Sequence, residues 1–152
     1  MNLIMEEEMK TLLILLLSSL MFASILAAGA GSKTKLNKYA IIENLNRGLN
    51  SDNEGLRISS AGMIQEIIDN AIVNPDEFST SLIPLLKMLD NGSTEYERLS
   101  AALTLYSIGN GIGIYRLRGS AKYDESEKVR TISKNLYYGY HTVHQSTYFL
   151  DF

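Results

Sequence analysis

Few residues of this chain have both the type and the spacing that chemistry needs. His141 and His144 stand three apart and could turn two imidazole nitrogens to one side of a helix, as a metal requires. A site needs a third ligand, no HExxH-type glutamate accompanies them, and Asp151 is the one carboxylate close by in sequence. The pair therefore reads as two surface histidines. The glycines of Gly109-Asn-Gly-Ile-Gly113 would let backbone amides approach a phosphate, but a dinucleotide fingerprint also requires a preceding strand and a further glycine at a fixed offset. Neither is present, and the run reads as a turn between helices. The chain has no cysteine, which excludes thiolate metal sites, disulfides and cysteine nucleophiles. No Ser/His/Asp arrangement, carboxylate pair or nucleophile elbow stands out. The expectation is a protein without catalytic residues, bound cofactor or metal.

Two clusters suit binding better. Arg116, Arg118, Lys122, Lys128, Arg130 and Lys134, with Tyr115 and Tyr123 among them, make the C-terminal third locally basic. Asp124, Glu125 and Glu127 temper that run, so it reads first as a solvated face, with Arg116 and Arg118 as the candidate contacts for a protein partner. The whole chain carries a formal charge of -3 and a pI near 5.4, which leaves no global positive field for a polyanion, and nucleic acid is not an expected partner. The second cluster is aromatic. Tyr137, Tyr138, Tyr140, Tyr148, Phe149 and Phe152 concentrate near the end of the chain. Aromatic rings bury large areas at low entropy cost, so this region either caps the last helices or, through Tyr137, Tyr138, Tyr148 and Phe149, meets a partner; capping is the preferred reading.

What must position these residues is helical. With 45% hydrophobic and 20% charged residues, the chain has material for one compact domain. Beginning at Lys38, apolar residues recur at helical spacing: Ile41, Ile42, Leu45 and Leu49; then Ser60, Met63, Ile64, Ile67 and Ala71; then Phe78, Leu82, Leu85, Leu86 and Leu89. A fourth helix, Glu95 to Gly109, has a stripe broad enough to be buried against two neighbours, and a shorter fifth holds Ile114, Leu117 and Ala121. The sixth holds Val129, Ile132, Leu136 and Tyr140, with Gly139 expected to end or loosen it. Pro75 and Pro84 fall where helices could begin.

The second, fourth and sixth helices open alike, with Glu54 and Arg57, Glu95 and Arg98, and Glu127 and Arg130 at the same three-residue offset. A glutamate in a first turn meets the positive helix end, and an arginine one turn on can pair with it locally. Ser51 to Glu54, Thr94 to Glu97 and Asp124 to Glu127 have capping-box spacing. A helix pair that recurs in this way is the mark of an all-α superhelix, here of about three pairs. Leu105 to Ile114, followed by Asp124-Glu-Ser-Glu-Lys-Val-Arg130, resembles the HEAT-repeat consensus, especially the short repeats of the phycobilisome-lyase type. Leu56-Arg57 and Arg98-Leu-Ser-Ala-Ala102 match the second-helix opening of the other two copies, Asn110 stands where aspartate is usual, and Ile72 to Thr80 is longer than short repeats have. The resemblance implies a right-handed ARM/HEAT-like solenoid used for protein binding, and it carries no catalytic residue.

Upstream, Thr11 to Ala28 is an uncharged apolar run followed by Ala28-Gly29-Ala30, the layout of a secretory leader cut after Ala30. Glu6 to Glu8 are wrong for its basic start, whereas a start at Met9 is well formed. The alternative is an uncleaved anchor over residues 11–28, close to the length of about 20 that spans a bilayer. Residues 1–30 are thus expected as a leader, 31–37 as a linker, 38–141 as the repeat domain and 142–152 as an aromatic tail. The expected protein is exported to a bacterial periplasm or envelope and acts as a non-enzymatic binding or assembly module. A cofactor-handling protein of the phycobilisome-lyase-like kind and a self-associating structural protein are the alternatives.

Overall fold

Asn37 accepts the amide of Ala40 at 3.2 Å and so starts the first helix of a computed structural model in which residues 37–144 are described. Among these residues the fold is all-α. Six α-helices follow in order: α1 Lys38–Leu49, α2 Glu54–Asp69, α3 Leu82–Asn91, α4 Glu95–Ile108, α5 Gly111–Tyr123 and α6 Glu127–Val143, with a 3-10 helix, Pro75–Ser81, before α3. The leader or anchor, the linker as far as residue 36, and the tail residues Tyr148, Phe149 and Phe152 lie outside the described residues. No helix among the described residues is long and apolar enough to cross a membrane.

Consecutive helices pack as pairs, α1 on α2, α3 on α4 and α5 on α6; in addition α2 packs on α4, and α4 on α6. Helix α4 thus touches α2, α3, α5, α6 and the 3-10 helix, which is why it buries side chains on several sides. Leu99, Ala101, Ala102, Leu105 and Ile108 are buried, as the broad stripe predicts, whereas Leu103 and Tyr106, expected on the same stripe, are exposed and half-buried. The core around them is built from Leu45, Leu49, Ile64, Phe78, Leu85, Leu89, Leu117 and Tyr137. Helices α1 and α2 come so close that a Cβ on Gly48 would fall 1.9 Å from Ser60 Oγ.

Several boundaries differ from the sequence reading. Phe78 is buried, but not on a continuous helix with Leu82: its backbone (φ -90°, ψ 16°) leaves helical geometry inside the 3-10 segment. Pro75 does start that segment, while Pro84 sits within the first turn of α3, where an amide would lack a partner anyway. Met63 is 53% exposed and Ala71 lies beyond α2; the core side of α2 is Ala61, Ile64, Ile67 and Ile68. Gly139 does not end α6, which continues to Val143; a Cβ there would stand 3.7 Å from Tyr106 Oη, an ordinary contact, so packing does not require the glycine. The caps of α2 and α6 are Asn53 and Ser126, two residues later than Ser51 and Asp124. Ser51 and Asp124 instead accept the amides of those caps, from Asn53 at 3.1 Å and from Ser126 at 2.8 Å, and so shape the turn that precedes each helix.

Candidate functional site

The three Glu–Arg openings form one connected arrangement along the N-terminal edges of α2, α4 and α6. In the first two openings the side chains reach forward to the next one, and among the described residues no Glu–Arg pair forms within its own helix. Arg57 Nε donates to Glu97 Oε1 at 2.5 Å, and its Nη1 donates to the carbonyl of Ser51 at 2.8 Å. Arg98 repeats this one step on. It holds Asp124 with two bonds of 3.0 and 3.2 Å, reaches Glu125 at 3.1 Å, and donates to the carbonyl of Gly92 at 2.9 Å. Arg130 keeps the backbone half of the pattern, donating to the carbonyls of Asp124 at 2.7 Å and Glu125 at 3.0 Å. In each copy the guanidinium therefore fastens the loop six residues upstream. In the first two it also binds a carboxylate of the following copy.

The glutamates make a second set of links. Thr94 Oγ1 donates to Glu54, and Ser126 Oγ donates to Glu95 Oε2 at 2.5 Å. The same hydroxyls cap their own helices, accepting the amides of Glu97 at 3.2 Å and Val129 at 3.3 Å. A hydroxyl can donate and accept together, which a carboxylate cannot. Asn53, at the head of the series, has no glutamate before it and serves only as the acceptor for Leu56 at 3.1 Å.

Burial makes these links matter. The side chains of Arg98 and Asp124 are 8% and 6% exposed, and that of Glu97 is 2% exposed. Glu97 Oε2 also accepts from the amide of Ser93 at 3.0 Å. The hydrogen bond from Arg57 holds the Glu97 carboxyl below the usual glutamate range against the opposing effect of burial, with help from the Ser93 amide. The same bond raises Arg57. Glu95 is also held low, first by the Ser126 hydroxyl and then by Lys128, whose ammonium lies 3.2 Å away and sits 5.1 Å over the Tyr96 ring. Gly92 is required by this packing: a Cβ there would stand 2.5 Å from the Met88 carbonyl and 3.0 Å from Arg98 Cγ.

The remaining candidates are placed differently. Arg116 pairs with Asp90 of α3 and so ties α5 to its neighbour. Arg118 lies beside it in a shallow groove with Tyr115, Lys122 and Tyr123. Tyr137 is buried and meets Tyr138 and His141 edge-on, the latter with ring centroids 4.5 Å apart. His144 stacks on Tyr140 at 4.1 Å. Among the described residues no three His, Cys, Asp or Glu side chains gather as a metal would need. The sequence draws attention to Glu54, Arg57, Glu95, Arg98, Glu127 and Arg130 but not to the side chains they bind, Thr94, Ser126, Glu97 and Asp124. One signal was present: a capping side chain precedes every glutamate of the series. Searches of protein-family models, curated proteins and solved structures return no match to this chain.

Proposed function

We propose that the chain is a small HEAT-like solenoid of three helix pairs that acts without catalysis, as an exported protein-binding or assembly module of a bacterial envelope. The observation that carries this reading is the repeated link: Glu54 to Thr94 and Glu95 to Ser126, Arg57 to Glu97 and Arg98 to Asp124. The hydroxyl links repeat at equivalent positions and the arginine links repeat in kind, taking Glu97 within α4 and Asp124 before α6, which is what a stack of repeats needs to hold its members in register. The residues with perturbed carboxyls are fully used in those links, so they offer no general acid or base. The test is crosslinking followed by affinity purification from a native envelope extract. One stoichiometric protein partner is expected. A bound chromophore or other small molecule, with no protein partner, would replace this reading by the cofactor-handling one, and recovery from the cytosol would remove export from it.

A further inference from the structure

The chain contains two Asn–Gly bonds, Asn91–Gly92 and Asn110–Gly111, and the fold treats them oppositely. This dipeptide can rearrange, because glycine has no Cβ to keep its nitrogen from the side-chain carbonyl carbon of the asparagine before it. In a folded protein the outcome turns on what holds that nitrogen.

At the end of α3 it is held firmly. Gly92 N donates to the Met88 carbonyl at 2.9 Å, closing the helix to which Asn91 belongs. The Gly92 carbonyl accepts from Arg98 Nη1 at 2.9 Å, and the residue is buried so tightly that a Cβ on it would stand 2.5 Å from the Met88 carbonyl. Ring closure at Asn91 would have to break the first bond and disturb the anchorage of Arg98.

Before α5 the nitrogen is open. Gly111 is exposed, and its amide, the first of the helix, has no acceptor among the described residues. A Cβ on it would meet nothing within 4 Å. Asn110 uses Oδ1, which accepts the Ile112 amide at 2.9 Å and so encloses the Gly111 amide in a turn. Its Nδ2 donates to nothing among the described residues.

We propose that Asn110 is a site of spontaneous covalent modification, losing its amide to become an aspartyl or isoaspartyl residue while Asn91 keeps its own. The Gly111 nitrogen gives its proton to hydroxide and forms a bond to Asn110 Cγ. The Cγ–Nδ2 bond breaks, and that nitrogen leaves as ammonia with a proton from water. Water then opens the succinimide. Cleavage between Cγ and the Gly111 nitrogen gives aspartate on the original main chain, and cleavage at the Asn110 carbonyl carbon gives isoaspartate, whose main chain runs through Cγ. In sum, water enters and ammonia leaves, and nothing is oxidised or reduced. Either product puts a carboxylate at the start of α5, whose charged side chains, Arg116, Arg118 and Lys122, are all cationic. Isoaspartate also lengthens the main chain beside Gly109, whose carbonyl accepts from Tyr140 Oη at 3.0 Å.

Peptide mapping by mass spectrometry of the full chain, kept folded at mildly alkaline pH and sampled over time, tests this. Asn110 should convert about fivefold faster than Asn91 or more, the factor that one intact hydrogen bond supplies. In concentrated urea the two rates should converge, because the dipeptides are the same. Gly111→Ala places its Cβ in open space; circular dichroism establishes that it is folded, and it should slow conversion at 110 several-fold and leave 91 unchanged. Should that variant not fold, the ratio of the two rates in the wild-type chain, folded against urea, decides alone. Conversion at Asn91 as fast as at Asn110 in the folded chain overturns the proposal, as does a folded chain that converts at neither site while the unfolded one converts at both. A ratio that urea leaves unchanged overturns it by assigning the difference to neighbouring residues and not to the fold. A folded Gly111→Ala chain that converts at 110 as fast as the wild type overturns the ring-closure route.

Discussion

Thr94 and Ser126 each use one hydroxyl for two purposes, and this makes a prediction that helix-capping preference alone does not. Aspartate is as good a cap as threonine or better. At position 94, however, its carboxylate would face Glu54 and could not donate. Thr94→Asp should therefore lower stability by about 1–2 kcal/mol, whereas Asn53→Asp, with no glutamate before it, should stay within about 0.5 kcal/mol; urea denaturation measures both. The depressed carboxyls give a second expectation. A carboxyl whose folded value lies below its unfolded one stabilises the fold fully above its ordinary value, 4.5 for Glu95 and Glu97, and loses that contribution as pH falls through the folded value. Thermal stability should thus fall on acidification below about pH 4.5, and Glu97→Gln should be less stable at neutral pH yet show a shallower acid loss. A melting series against pH for the two proteins checks this. None of these partners could be read from the sequence by local spacing, because the arginine in a first turn sits equally near its own glutamate; burial beside the next helix decides which carboxylate it takes.

Helix existence was legible and helix ends were less so, for reasons that differ by element. The wide stripe of α4 foretold a helix enclosed by neighbours, and Ala102, with no exposed surface, is where that enclosure is tightest. Ala102→Lys should abolish cooperative unfolding under native conditions, seen as loss of the thermal transition. Phe78 misled because its spacing to Leu82 and Leu85 satisfies an α-helix, and only the backbone break reveals a 3-10 turn. Gly139 misled because a single glycine inside a helix costs only about 1 kcal/mol and does not by itself end it. The true αL end of α2 is instead at a non-glycine residue. Ala71 has φ 53°, with its amide bonded to the Ile68 carbonyl at 2.9 Å and that of Ile72 to Ile67 at 3.0 Å. An L-residue in that conformation costs about 1–2 kcal/mol, partly offset by the greater unfolded-state freedom of glycine. Ala71→Gly should consequently raise stability by about 0.5 kcal/mol, measured by the shift in urea midpoint at constant slope.

At the scale of the whole molecule, the order of the helices and the shared opening of α2, α4 and α6 were in the sequence, whereas the links between these helices were not, since they join residues up to 43 apart. The extra residues between α2 and α3 were visible as an irregularity but not as structure. Val73, Phe78 and Ser81 show what they do, filling the space over α1 and α4, with Ser81 Oγ donating to Asn46 Oδ1 at 2.6 Å. The links also lie along one edge. Among the described residues the hydrogen bonds between α2 and α4 run from the helix starts as far as Thr104, whereas α4 and α6 are joined again at their far ends, where Tyr140 Oη donates to the Gly109 carbonyl at 3.0 Å. The body is therefore bound like a book on one spine, with its first leaf unclasped and its second clasped. Its softest bending mode opens the far end of α2, and amides of residues 65–70 should exchange with solvent faster than those of 103–108, even in the fully native protein.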